Sequence, residues 1–262
     1  MRWSRFAAGL LAGLMLLSSA AWAAEPEKTP AEDARDTVEE TADWRLLLVN
    51  PWNSLPEDFT VELQTLSNGM KVDERIVEDL NAMLADCRKA GLRPRICSAY
   101  RPLETQTRLY NNKIARLRAA GYSREAAVKE AGRWVAVPGT SEHQTGLALD
   151  IVAADYQVLD KRQEETAEQK WLMEHCWEYG FILRYPSDKS EITGIGYEPW
   201  HYRYVGREAA LAIRDSGLCF EEYLQSLEAE DAKAEPETEQ ETKQELKKAS
   251  KQETAKAASC FL

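Results

Sequence analysis

The chain of 262 residues is 44% hydrophobic and 29% charged, and it carries a formal net charge of −11. Acid in such surplus opposes binding to nucleic acid or to an anionic lipid surface, which both need a cationic face. The length accommodates one domain with a sizeable core, flanked by polar ends.

Residues 1–23 read as a secretory signal peptide. Arg2 and Arg5 give the positive start, Phe6 to Leu17 the apolar run, and Ala21-Trp22-Ala23 a small-x-small cleavage site. The alternative is an uncleaved anchor, but the run falls short of the ~20 apolar residues that span a bilayer. No cysteine directly follows it to carry a lipid. The mature chain is expected to be exported and extracytoplasmic, in the cell wall or secreted. Residues 24–43, rich in Glu, Asp, Thr, Ala and Pro, have almost nothing to bury and form a disordered acidic linker.

Residues 44–227 are expected to make the single folded domain. Val72, Ile76, Leu80, Met83, Leu84 and Cys87 recur at helical spacing from a start near Asp73 to a stop at Gly91. Arg95 to Tyr100 reads as a short strand ending at Arg101-Pro102. Pro102 suits the first turn of a second helix, which carries Leu103, Tyr110, Ile114 and Leu117 and ends near Gly121. Ser123 caps a third helix through about Arg133, and Pro138-Gly139-Thr140 is a loop. Leu147 to Val152 is apolar enough for a central strand. A helix follows from about Glu168 to Tyr179, then strands at Phe181 to Tyr185 and Trp200 to Val205, and helices near Glu208–Asp215 and Phe220–Leu227. Helices come first and interleave with a small sheet without βαβ repetition, so the class is α+β. Residues 228–262 form a disordered charged tail, helical at most transiently through Glu/Lys pairs.

Cys87, Cys97, Cys176 and Cys219 fall in the folded segment. In an exported domain they permit two disulfides, in any of three pairings; buried free thiols are the alternative. Their spacing fits no zinc ribbon, and Cys260 is misplaced for a prenylation box.

The chain has three histidines, and two of them fall in two acid-bearing segments about fifty residues apart. His143 lies in Ser141-Glu142-His143-Gln144-Thr145-Gly146-Leu147-Ala148-Leu149-Asp150, and His201 in Glu198-Pro199-Trp200-His201. A lone histidine is more often a surface or core residue than a ligand. Two imidazoles and one carboxylate, however, are a suitable three-ligand set for a catalytic zinc with an open fourth position. A nearby carboxylate, Glu198, is placed to take a proton from water. The helical HExxH motif is absent, as are the SxxK and GxSxG patterns of serine nucleophiles. His175, beside Trp171 and Tyr179, reads as a packed or half-exposed helix residue.

The SxHxxGxAxD pattern followed by ExWH resembles the zinc D-alanyl-D-alanine carboxypeptidase family, which includes VanY-type D,D-carboxypeptidases and related L,D-carboxypeptidases. Ser98-Ala99-Tyr100-Arg101-Pro102 with Gln106, and Gly180 to Pro186, extend the resemblance from about Leu48 to Leu224. It implies a hedgehog/D-Ala-D-Ala peptidase-like fold, a small mostly antiparallel sheet with flanking helices. His143, Asp150 and His201 would hold one Zn2+ per chain, with Glu198 as general base. Arg101 would stabilise the oxyanion, and Gln106, Ser141 and Tyr185 would line the pocket for the terminal D-alanine carboxylate. The implied activity is removal of C-terminal D-alanine from peptidoglycan stem peptides by a monomer with no stable protein partner. Cleavage after a D- or an L-centre stays open at this point. The rivals are a non-catalytic zinc-containing wall-binding module and a peptidoglycan endopeptidase; intact Glu198 and Arg101 argue against the first.

Overall fold

A computed structural model describes residues 43–234. The signal peptide, residues 24–42 of the linker and the tail beyond Ala234 lie outside the described residues.

The framework is a four-stranded antiparallel sheet of β3 (Pro94–Ser98), β4 (Ala148–Ala153), β5 (Phe181–Leu183) and β6 (His201–Tyr204), in the order β3-β4-β6-β5. A two-stranded hairpin, β1 (Leu63–Thr65) and β2 (Lys71–Asp73), precedes it. The helices are α1 (Val77–Lys89), α2 (Leu103–Ala119), α3 (Arg124–Gly132), α4 (Ala167–His175), the short α5 (Ser190–Thr193), α6 (Arg207–Ser216) and α7 (Phe220–Ala234). This is the expected α+β arrangement.

Alternation along the strands separates core from site. Side chains on a strand point to opposite faces in turn. Leu149 and Ile151 of β4, with Phe181, Tyr202 and Tyr204, join Leu80, Met83 and Leu84 of α1 in the main core. Asp150, His201 and Arg203 therefore belong to the other face. There Ile182 packs in a second cluster with Ala209, Ala210 and Ile213 of α6. Every residue of β4 is buried, as its apolar run predicts. Pro94 opens the edge strand β3, a position where its missing N–H is tolerated.

The expected ends hold at several helices. Asp73 caps the turn leading into α1 by accepting from Arg75 N, and Ser123 caps α3 by accepting from Ala126 N. Elsewhere the structure departs from the sequence reading. The helix expected over 168–179 is α4 followed by a tighter turn, Cys176–Tyr179. The hairpin was not anticipated: its strands have three residues each and turn at Gly69, whose φ is 83°. The last helix runs past Leu227 to Ala234. On α2 the expected apolar stripe is not buried: Leu103 is 52% exposed, and Gln106 alone on this helix is buried. The helix packs chiefly on α3, which leaves Tyr110, Ile114 and Leu117 half-buried.

Cys87, Cys97, Cys176 and Cys219 are free thiols. Burial pushes them up, to about 11 for Cys87 and Cys219 and about 12 for Cys97 and Cys176. Thiols held protonated in this way are inert at neutral pH.

Candidate metal centre

His143 enters on a short 3-10 turn, Glu142–Thr145, that ends at Gly146 with φ 76°. Only glycine fits there, because a Cβ would lie 2.7 Å from the Asp73 backbone nitrogen, which donates to the Gly146 carbonyl. The turn is thereby fastened to β2. His143 Nδ1 lies 2.8 Å from the Ala99 carbonyl oxygen, which can only accept. Nδ1 thus carries the proton, and Nε2, 3.4 Å from Asp150 Oδ2, presents its lone pair.

Sheet register supplies the rest. Asp150 of β4 pairs with His201 of β6 on one side and with Ser98 of β3 on the other, past a bulge in β3. Directly opposed residues on neighbouring strands are close enough to share a ligand. His201 Nδ1 lies 3.2 Å from Asp150 Oδ1. One ligand atom each from His143, Asp150 and His201 falls within 4.8 Å of the others. All three residues are buried.

The trio fits a zinc ion. Asp150 Oδ1 is the one buried side-chain polar atom among the described residues with no hydrogen-bond partner. Such an atom is costly unless something satisfies it. Burial acts to raise the Asp150 carboxyl, but His143 and His201 outweigh it and hold the group ionised, far below the usual carboxylate range. Two imidazoles, one carboxylate and an open side are the donor set of a catalytic zinc site.

His201 is held from behind. Its Nε2 is 3.4 Å from Glu142 Oε2, which leaves Nδ1 for the ion. Glu142 accepts at Oε1 from Arg184 Nε at 2.7 Å and from Arg203 Nη1 at 2.8 Å. Arg184 also forks onto Glu221 of α7 at 2.8 and 2.6 Å, and Asn50 donates to Glu221. Arg184 and Arg203 are fully buried. Burial acts to raise the Glu142 carboxyl, but the two guanidiniums overcome it and keep it well below the ordinary range.

The sequence reading missed this network. Its one visible signal is an acid directly before His143; the two arginines sit in segments that read as ordinary strand. Glu142→Gln should cost about 3–5 kcal/mol of unfolding free energy, because it leaves the buried Arg203 guanidinium without its counter-charge. Zinc affinity should fall ~10–100-fold as His201 loses its anchor. Denaturant unfolding and zinc titration read the two effects, and wild-type values in both would remove Glu142 from this role.

Glu198 stands off the trio, its Oε2 3.7 Å from His201 Nδ1, and is buried. Burial first, and then Asp150, push its carboxyl up to about 8 against the pull of His201 and Arg101. Arg101 approaches from the other side, with Nη2 3.8 Å from Asp150 Oδ2. It is fixed by donating from Nη2 to Ser98 Oγ and from Nη1 to Gln106 Oε1, both at 2.7 Å.

Gln106 itself donates to the Ala136 carbonyl and is fully buried. The structure therefore places it behind Arg101 and off the cavity wall, a correction to its expected role as a pocket-lining group. Ser141 and Tyr185 do line the cavity, together with Arg101, Glu198 and the trio, in a space of about 600 Å³. The Tyr185 ring lies 4.8 Å from that of His201. His175 is at the end of α4, half-buried and paired with Glu178, as its bland reading held.

A family model named VanY, D-alanyl-D-alanine carboxypeptidase, matches residues 69–207. A D-alanyl-D-alanine carboxypeptidase of Enterococcus faecalis is 45% identical over 202 residues, which are 76% of this chain and 74% of that one. Among solved structures, VanYB in complex with D-alanine-D-alanine is 48% identical, with TM-score 0.65 over 70% of this chain and 98% of the other. A variant of the vancomycin resistance D,D-pentapeptidase VanY in complex with Zn(II) is 47% identical, with TM-score 0.64 over 70% and 99% of the two chains.

Proposed function

The chain belongs to the VanY family of D-alanyl-D-alanine carboxypeptidases, and on that premise we propose that it is an exported zinc carboxypeptidase that removes the terminal D-alanine from peptidoglycan stem peptides ending in D-alanyl-D-alanine. The observation that carries the reading is the buried His143–Asp150–His201 trio with its unsatisfied oxygen, flanked by a carboxylate that is free to handle protons. Cleavage after a D-centre is favoured by the relatives at 45% and 48% identity, one called a D-alanyl-D-alanine carboxypeptidase and the other bound to D-alanine-D-alanine. Export is supported by the charged start, apolar run and cleavage site of residues 1–23, and by the extracytoplasmic location of such a substrate.

His143 Nε2, an Asp150 oxygen and His201 Nδ1 would hold the zinc ion, which would supply Lewis-acid chemistry by polarising a carbonyl and making water more acidic. Glu198 accepts the proton of the attacking water. As the C–N bond breaks, it delivers that proton to the leaving amine of D-alanine. Arg101, immobilised by Ser98 and Gln106, offers its guanidinium to the oxyanion of the tetrahedral intermediate, a contribution of ~3–4 kcal/mol. The hydroxyls of Ser141 and Tyr185 are donors for the substrate's free carboxylate.

The test is a pair of peptides ending in D-alanyl-D-alanine, one with a free terminal carboxylate and one amidated. A hydrogen bond to a charged group is worth about 1.5–3 kcal/mol, so the amide should be cut at least ~10-fold more slowly in kcat/KM. Equal rates would make the enzyme an endopeptidase.

A further inference from the structure

The cavity does not end at the metal centre. It continues along α2, whose residues Leu109, Lys113 and Arg116 share one face at helical spacing and border the same space. The helix begins just after Arg101, so this stripe leads away from the metal end. From Leu109 to Arg116 it covers ~10 Å at 1.5 Å per residue. Three residues of extended peptide span a similar ~10 Å.

Lys161 borders the same cavity, beside Asp160. Asp160 is engaged by Arg162 at 2.6 Å, so it does not neutralise the groove. Lys113 Nζ lies 5.9 Å from the Trp134 ring centre, and its charge reaches Glu198, whose carboxyl it helps to lower. Among the described residues, Lys113, Arg116 and Lys161 have no ion-pair partner within 4.0 Å. Three unspent cations thus gather in one groove of a chain whose net charge is −11. Neither the proton handling nor the oxyanion contact described above uses them.

We propose that Lys113 and Arg116, with Lys161 in the same cavity, form a subsite for a second carboxylate of the substrate, upstream of the bond that is cut. The substrate class is then a peptide that is acidic before its D-alanine end as well as at it. Two groups in a stem peptide carry this chemistry: the α-carboxylate of a γ-linked D-glutamate at the second position, and the side-chain carboxylate of a diamino diacid at the third. The proposal rests on the carboxypeptidase reading of the adjoining centre.

Three pentapeptides with free C-termini test it: one with both upstream carboxylates amidated, one with only the second-position carboxylate free, and one with only the third. Each is given to the zinc-loaded wild type and to the double variant Lys113→Gln, Arg116→Gln. The wild type should prefer one of the acidic peptides over the diamide by roughly three- to ten-fold in kcat/KM, chiefly through KM. That preference should fade as salt is raised, and the preferred peptide identifies the carboxylate. The double variant, which keeps Lys161, should lose most of that preference, its rates on all three peptides approaching the diamide rate. Two outcomes overturn the proposal: a wild type indifferent to the upstream charge, or a variant that loses the same factor on every peptide. The second would place Lys113 on the terminal carboxylate. Failure of the wild type to cut any peptide would instead refute the carboxypeptidase reading, and this subsite with it.

Discussion

Glu198→Gln should yield a protein that keeps its zinc and loses most of its turnover. The substitution preserves volume and removes only the ability to take a proton. Glu198 is not one of the trio: its nearest approach is 3.7 Å to the His201 nitrogen, and its carboxylate faces the cavity. Without an ion, burial and the Asp150 charge favour the protonated form, at about 8. A dication at the neighbouring cluster favours the carboxylate, the form a general base needs. Base catalysis typically contributes ~10²–10⁴-fold, so kcat should fall by that factor at unchanged zinc content. Metal analysis and steady-state kinetics on one preparation decide it. A variant as fast as the wild type clears Glu198 of the role, and one that has lost its metal makes it a ligand.

His201→Ala should remove both the metal and the activity. It takes away one of three donors, and it leaves Asp150 and Glu142 facing each other across the gap with less positive charge between them. In the wild type, zinc that binds only the folded state should stabilise it by ~4 kcal/mol when present at a thousand times its dissociation constant. Chelation should therefore lower the wild-type melting temperature markedly and leave that of His201→Ala nearly unmoved. A variant that still holds about one zinc per chain and still turns over would break the assignment of the trio.

The candidate metal cluster was legible in the sequence because its geometry is short-range. His143 and Asp150 belong to one loop and the strand after it, and Glu198 and His201 to one turn and the strand it opens. The central strand announced itself as an apolar run interrupted only by Asp150, and Asp73, Gly91 and Ser123 marked helix ends through their own backbone chemistry. What stayed hidden depends on partners distant in the chain. The ionic cluster of Glu142, Arg184, Arg203 and Glu221 is assembled by β5, β6 and α7, and no local pattern distinguishes a buried arginine from a solvated one. Gln106 was misplaced for a related reason. Helical periodicity gives a stripe, but only tertiary packing decides whether the stripe meets a core, a neighbouring helix or a cavity.

The contrast between β4 and α2 also separates what this protein can change from what it cannot. On β4 every side chain is enclosed, and Asp150 sits among residues whose replacement opens a void or strains the sheet. On α2 the single enclosed side chain is that of Gln106, and Leu109 and Arg116 are exposed. Substitutions on that outer stripe forfeit little packing, since exposed positions usually shift stability by less than ~0.5 kcal/mol. Sequence drift along one wall of the groove can therefore retune which peptides are accepted while the metal-holding strand stays fixed. On the subsite proposed above, the preference for upstream residues and the integrity of the fold are carried by different segments.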